Sequence, residues 1–98
     1  MTTFTEVVKK HFEKLDLYTH AITRAHGKNH PEAFDVRDLF LEMNGKITAA
    51  NGASVNLDEE FQALREVTNQ YTVPDDVCET FAGTYEMLAE ADQAYHQA

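Results

Sequence analysis

The chain has 98 residues, of which 17 are acidic and 8 are basic, and its formal charge is −9. This length predicts one domain. Because phosphate groups are bound through Lys and Arg, the negative charge argues against nucleic acid and anionic membranes as partners. Cys78 is the single cysteine, so an intrachain disulfide is excluded. The N-terminal segment lacks the apolar core of a signal peptide, and no run approaches the roughly 20 apolar residues of a membrane span, so we expect a cytoplasmic protein.

Apolar residues recur every three or four positions in four segments, which is typical of helices with one buried face. The first segment runs from Thr3 to His26, and Gly27 is expected to end it as a left-handed cap. Its predicted stripe is Phe4, Val8, Leu15, Tyr18, Ile22 and Ala25. Pro31 is a favoured first residue for the second helix. The buried face of that helix is predicted to be Ala33, Val36, Phe40, Met43 and Ile47.

Residues 49–55 are predicted to form a loop. The third helix should open at Asn56, with Glu59 completing a capping box, and its stripe continues to Tyr71. The fourth helix should begin with Pro74 and extend to Tyr95. Because the connections are short, successive helices should run in opposite directions. The pattern predicts an all-α fold, with residues 1–98 forming a single up-down antiparallel four-helix bundle.

The five histidines are the first candidates for chemistry, since helical bundles hold metal ions through inward-facing His and carboxylate side chains. His26 shares a helix face with Thr5, Phe12 and Thr19. His30 lies just beyond the turn, so His26 and His30 could approach a common ion at one end of the bundle. In the alternative interpretation, His26 caps the last carbonyls of the first helix and His30 caps the second helix.

The remaining polar candidates have simpler interpretations. His11 falls within the first helical stripe and is expected to be partly buried and hydrogen-bonded. The pairs Asp16/His20 and Asp92/His96 are spaced four residues apart, which favours surface ion pairs over metal ligation. A helix N-terminus lowers the pKa of a thiol, but acidic neighbours oppose this effect at Cys78, so a quiet thiol packed beside the core is expected. These acidic neighbours are Asp75, Asp76 and Glu79. No catalytic constellation is evident.

Three apolar residues fall off the main stripe of the second helix: Phe34, Leu39 and Leu41. They indicate either a broad buried face or an apolar patch that binds another chain, for example in a homodimer.

Two segments resemble the Ric family, a group of hemerythrin-like proteins associated with the repair of iron–sulfur clusters. The first is the helix end, His-Gly turn and His-Pro-Glu restart at residues 24–32, RAHGKNHPE, followed by VRDLF at residues 36–40. The second is LREVTNQYTVPDDVC at residues 64–78, continuing to TF at 80–81 and YEML at 85–88. Together the two segments extend over about two thirds of the chain and occur in the family's order.

The resemblance implies a pair of bridged irons held by histidines and two carboxylates. His26 matches one family histidine, and the partner expected three heptads earlier falls near Thr5. A family His-x-x-x-Glu motif corresponds to residues 47–52, which contain neither His nor Glu, and the position of another family histidine falls near Leu57 or Asp58. His96 aligns with the last family histidine, whose glutamate would fall beyond Ala98. We expect His26 and His96 at the same end of the bundle.

Three hypotheses for the function follow, and none of them assigns a catalytic residue. The resemblance favours an accessory or binding module in iron–sulfur cluster repair or iron homeostasis, with an iron–sulfur protein as client and no complete di-iron site of its own. The second hypothesis is a metal-binding protein that uses His26, His96 and His30, with iron as the metal that the resemblance implies. The third is a structural interaction protein, dimeric through the face that carries Phe34 and Leu41.

Overall fold

The computed structural model describes residues 3–97, and within that range the chain forms four helices and no strand. They are α1 (Phe4–His26), α2 (Glu32–Ala50), α3 (Asp58–Val67) and α4 (Glu79–His96). The all-helical prediction is therefore confirmed, and the helices pack as a bundle around one buried core. None of the described helices is long and apolar enough to cross a membrane.

Helix α1 begins after Thr3, whose hydroxyl accepts a hydrogen bond from the main-chain N–H of Glu6 at 3.2 Å. Its buried residues are Val7, Phe12, Leu15, Thr19 and Ile22. This face is rotated from the predicted stripe, since Val8 and Tyr18 are only partly buried and Ala25 is exposed. The rotation follows from packing, because α1 contacts both α2 and α4 and buries the face between them.

Gly27 is right-handed, with φ at −56°, so the prediction of a left-handed cap is wrong. Position 27 requires glycine for a different reason. A Cβ atom at this position would lie 2.4 Å from the carbonyl oxygen of Thr23 and 2.6 Å from the ring of Phe34. The turn between α1 and α2 therefore needs glycine for close approach.

Helix α2 buries Ala33, Val36, Phe40 and Met43, as predicted, whereas Ile47 is only partly buried. It continues through Gly45 to Ala50 and ends at Asn51, which is left-handed with φ at 47°. The predicted loop thus begins two residues too early, because the helical backbone tolerates Gly45 without interruption.

Helix α3 is shorter than its stripe predicts. It begins after Leu57 and has no capping box, since Asn56 Oδ1 instead accepts from the N–H of Asp58 at 3.0 Å. The predicted helical stripe continued to Tyr71, but α3 ends at Val67, and residues 69–71 have φ values of 51°, 60° and 59°. Left-handed backbone is unfavourable for non-glycine residues, so tertiary contacts must hold this turn.

Helix α4 begins at Glu79, five residues later than Pro74, because residues 75–76 form a separate turn. Cys78 is its N-cap. The buried residues of α4 include the predicted Phe81, Thr84, Leu88 and Ala91. The rings of Phe4 and Tyr95 pack 5.4 Å apart between centroids, which places the start of α1 against the end of α4.

Candidate functional site

The end of α1 and the start of α4 bring His26 and Cys78 together. The imidazole Nε2 of His26 lies 3.2 Å from the Sγ of Cys78, and its ring packs edge-on against Phe81 with centroids 5.5 Å apart. Cys78 is exposed. The interpretation of a thiol packed beside the core is therefore wrong, because the late start of α4 leaves Cys78 on the surface as its N-cap.

The pKa of Cys78 is lowered to about 7. The largest cause is a hydrogen bond from the main-chain N–H of Phe81, followed by the hydrogen bond with His26, while burial opposes both. The acidic neighbours that were expected to keep the thiol protonated are outweighed by these donors. A large share of Cys78 is thus thiolate near neutral pH, which is the reactive form.

His30 lies beside this pair and is held by two carboxylates. Its Nδ1 is 3.0 Å from Glu32 Oε2, and its Nε2 is 2.8 Å from Asp76 Oδ1. The hydrogen bond to Glu32 is the largest cause that raises the pKa of His30, and the hydrogen bond to Asp76 is the second. Both ring nitrogens donate in the protonated form, so the ring is tied to these side chains rather than to the backbone at the start of α2.

Four polar side chains thus lie near one another at the turns that precede α2 and α4, namely His26, His30, Asp76 and Cys78. The rings of His26 and His30 are 6.4 Å apart between centroids, which agrees with their predicted proximity. Their nitrogens nevertheless point to different partners, His26 to Cys78 and His30 to two carboxylates. Between residues 3 and 97, no group of three or more His, Cys, Asp or Glu side chains is arranged to hold a metal ion.

His96 lies in a different environment at the end of α4. Its Nδ1 is 2.8 Å from Asp92 Oδ1, and Asp92 also accepts from Tyr71 Oη at 2.6 Å and pairs with Arg65 Nε at 3.1 Å. The Asp92 side chain is only 10% exposed. The predicted pairing of Asp92 with His96 is therefore confirmed, but its carboxylate is buried and not on the surface, because the loop after α3 and its Tyr71 cover it.

His26 and His96 lie at opposite ends of the bundle, so the expectation that they share one end is wrong. His26 contacts Phe81 in the first turn of α4, whereas His96 is the last residue of that helix. Fifteen residues of helix separate these two positions along α4 by about 22 Å. Two C-terminal ends cannot meet when the neighbouring helices run in opposite directions.

A cavity of about 630 Å³ lies at the His96 end, and we call it the end pocket. Its lining residues are Phe4, Thr5, Val8, Ile47, Gly52, Ala53, Ser54, Val55, Asp58, Tyr95 and His96. Several positions that the resemblance matches to iron ligands contribute to this lining, namely Thr5, the two ends of the segment 47–52, and His96. Of the two alternatives Leu57 and Asp58, Asp58 lines the pocket and Leu57 is buried in the core. His26 is the exception, since about 32 Å of helix separates it from Thr5.

The described donors do not fit a bridged pair of irons. The lining of the end pocket offers one imidazole, from His96, and one carboxylate, from Asp58. A di-iron site in a bundle uses several carboxylates and histidines from facing helices. Ligation of a metal by His26, His30 or His96 stays a prediction.

The other sequence candidates are distributed along the bundle. His11 Nε2 lies 2.5 Å from Glu90 Oε2 and its side chain is 13% exposed, which confirms a partly buried, hydrogen-bonded histidine. Asp16 pairs with Arg37 at 2.7 Å and not with His20 as predicted, because α2 brings the guanidinium to it. Phe34 and Leu41 are 52% and 43% exposed and form an apolar surface, whereas Leu39 is partly buried against the core.

The proximity of His26 and Cys78 was not predicted, because these residues are 52 positions apart in the chain. Only the topology of the bundle could have indicated this proximity. When the first and last helices of a bundle are neighbours, the end of one lies beside the start of the other. Asp76 was likewise assigned to helix α4, although it lies in the turn before it and faces His30.

No protein-family model matches this chain, and no solved structure matches it significantly. The chain is 22% identical over 123 aligned residues to the iron-sulfur cluster repair protein ScdA of Staphylococcus haemolyticus strain JCSC1435. The alignment covers 94% of this chain and 55% of ScdA, so the chain spans about half the length of that relative. The resemblance inferred from the motifs is thereby confirmed, and the chain is similar to an iron–sulfur cluster repair protein over nearly its whole length.

Proposed function

We propose that this chain is a short, hemerythrin-like relative of the iron–sulfur cluster repair proteins that serves as an accessory or binding module in the cytoplasm. The single observation that carries the proposal is the end pocket. Several positions matched to family ligands line it, and among its described residues only His96 and Asp58 carry an imidazole or a carboxylate. The chain thus has a helical bundle like that of the family, but fewer histidines and carboxylates than a bridged pair of irons needs.

The alignment supports a shortened bundle. It extends over 123 residues, which is longer than the 98-residue chain, so ScdA carries additional residues within the aligned region. The resemblance places a missing His-x-x-x-Glu motif at residues 47–52, where the structure has the end of α2 and the start of a loop. The loss of this motif would remove one histidine and one carboxylate from the pocket lining.

A module without a di-iron centre can still recognise a client protein through its surface. The formal charge of −9 favours a basic surface on the partner, since complementary charge accelerates encounter and opposes incorrect partners. Phe34 and Leu41 lie seven residues apart on α2, and both are exposed. They offer apolar side chains that a client can cover.

The test uses a [4Fe–4S] protein in its intact and peroxide-damaged forms. We expect the chain to co-sediment with the damaged client and not to restore its cluster absorbance without added iron and a complete repair protein. The double variant Phe34→Ser/Leu41→Ser should weaken this binding. Leu17→Ser is the matched control, because Leu17 is 70% exposed on α1.

Two results would overturn the proposal. In the first, the chain alone restores the damaged cluster, which would make it a repair protein in its own right. In the second, the chain binds neither form of the client and leaves the rate of repair by a complete repair protein unchanged.

A further inference from the structure

The end pocket has the size and lining of a small-molecule site. Its volume of about 630 Å³ lies within the range that accommodates ligands of drug-like size. Phe4, Val8, Ile47 and Val55 supply an apolar wall, and each of them is partly buried. Such a wall favours a ligand with an apolar body.

The polar side chains of the pocket are three hydroxyls, one imidazole and one carboxylate, from Thr5, Ser54, Tyr95, His96 and Asp58. Asp58 contributes a carboxylate. His96 Nδ1 is directed away from the pocket to Asp92, whose Oδ1 lies 2.8 Å from it. None of the described residues that line the pocket is Lys or Arg. An anionic ligand would therefore meet no Lys or Arg side chain in this lining, whereas a cation finds the carboxylate of Asp58.

Aromatic rings add to this preference. The ring of Tyr95 packs against Phe4, with 5.4 Å between centroids, and both rings line the pocket. The faces of aromatic rings attract cations. Burial raises the pKa of Tyr95, the hydrogen bond from the N–H of Leu57 opposes this, and the nearby carboxylates of Asp58 and Glu60 raise the pKa further.

We propose that the end pocket binds a small organic ammonium ion whose apolar body packs against Phe4 and Ile47 while its charged group faces Asp58. The proposal is independent of the function in cluster repair, because it rests on the shape and charge of the pocket alone. This ligand binds at the His96 end of the bundle without a metal ion.

The test compares three probes of similar size: 2-phenylethylammonium, 2-phenylethanol and 3-phenylpropionate. Binding is followed by amide chemical shifts in ¹H–¹⁵N spectra with EDTA present, so that metal ions do not contribute. We expect the ammonium probe to bind most tightly and to shift the amides of residues 52–58 and 95–96. Asp58→Asn should weaken its binding by about fivefold, which is the upper range for a solvent-accessible charge pair.

Two further variants control the result. Ala53→Trp should fill the pocket and abolish binding of all three probes. Asp38→Asn removes an exposed carboxylate of α2 outside the pocket and should leave binding unchanged. Equal affinity for the ammonium and the alcohol, shifts confined to other surfaces, or an unchanged affinity in Asp58→Asn would each overturn the proposal.

Discussion

His26 Nε2 and Cys78 Sγ lie 3.2 Å apart, at the junction of two helices whose residues are 52 positions apart in the sequence. Cys78 also receives hydrogen bonds from main-chain N–H groups of the first turn of α4. The sulfur is therefore surrounded by donors on one side and open to solvent on the other. Because the sulfur is exposed, the rate at which a reagent alkylates it reports how much of the thiol is deprotonated.

The rate of alkylation of Cys78 by iodoacetamide should rise with pH around a midpoint near 7, because the pKa of Cys78 is lowered to about 7 from its ordinary value of 9.0. His26→Ala should raise the midpoint only part of the way toward 9.0, since the N–H of Phe81 is the larger cause and remains. The measurement is labelling followed by mass spectrometry. His20→Ala, an exposed histidine of the same helix, serves as control, and an unchanged midpoint in His26→Ala would contradict the account.

The pair His30 and Asp76 should give stability a characteristic pH dependence. The pKa of His30 is raised, so its contribution is complete below the ordinary value of 6.5 and is lost as pH rises through the folded value. The pKa of Asp76 is lowered, so its contribution is present above 3.8 and is lost as pH falls through the folded value. The pair thus stabilises the fold most between pH 3.8 and 6.5.

Thermal unfolding of wild type and His30→Gln checks this dependence. The difference in Tm between the two proteins should be largest near pH 5.5 and should shrink toward pH 8, as His30 loses its proton. His20→Gln provides a matched exposed histidine on α1. A difference that grows between pH 5.5 and pH 8 would have the wrong sign for this mechanism.

Two glycines should respond in opposite directions to alanine. Gly27→Ala places a Cβ atom against the carbonyl oxygen of Thr23 and the ring of Phe34, and it should lower the free energy of unfolding by about 1–3 kcal/mol. Gly45→Ala meets no atom within 4 Å inside α2 and should raise it by about 0.5–1 kcal/mol. Urea unfolding measures both, and a stabilised Gly27→Ala variant would disprove the close approach.

The turn after α3 should depend on the hydroxyl of Tyr71. This hydroxyl donates to Asp92 Oδ2 at 2.6 Å, and its residue has a left-handed backbone. Tyr71→Phe removes one partner of a buried carboxylate and should cost about 1–3 kcal/mol of stability. Tyr18→Phe is the control, since no hydrogen bond of the Tyr18 hydroxyl occurs within residues 3–97 and its loss should be close to neutral. Equal effects of the two substitutions would remove the proposed role of Tyr71.

Periodicity predicted the four helices and most of the core, because burial of one helix face depends on local spacing. Phe40, Phe61 and Leu88 are each fully buried, as their stripes indicated. Helix ends were predicted less well. Pro74 and the acids after it have the composition of a helix start, yet they form a separate turn before Cys78. No local preference predicts three consecutive left-handed residues at 69–71.

The site was predictable only in part, because it depends on which helix ends meet. The pairing of His26 with Cys78 and the separation of His26 from His96 both follow from opposite directions of α1 and α4. The resemblance supplied the matched positions, but the structure was needed to show that Thr5, Asp58 and His96 converge on one pocket. Spacing along the sequence carries no information about this convergence.

The iron content of the chain distinguishes a binding module from a protein with a complete di-iron centre. The chain, purified without a histidine tag, is incubated anaerobically with excess Fe²⁺, desalted and analysed for iron and for its absorption spectrum. We expect well below one iron per chain and no bridged-centre absorption, since the described pocket lining offers one imidazole and one carboxylate. Retention of about two irons per chain with a bridged-centre spectrum would contradict it.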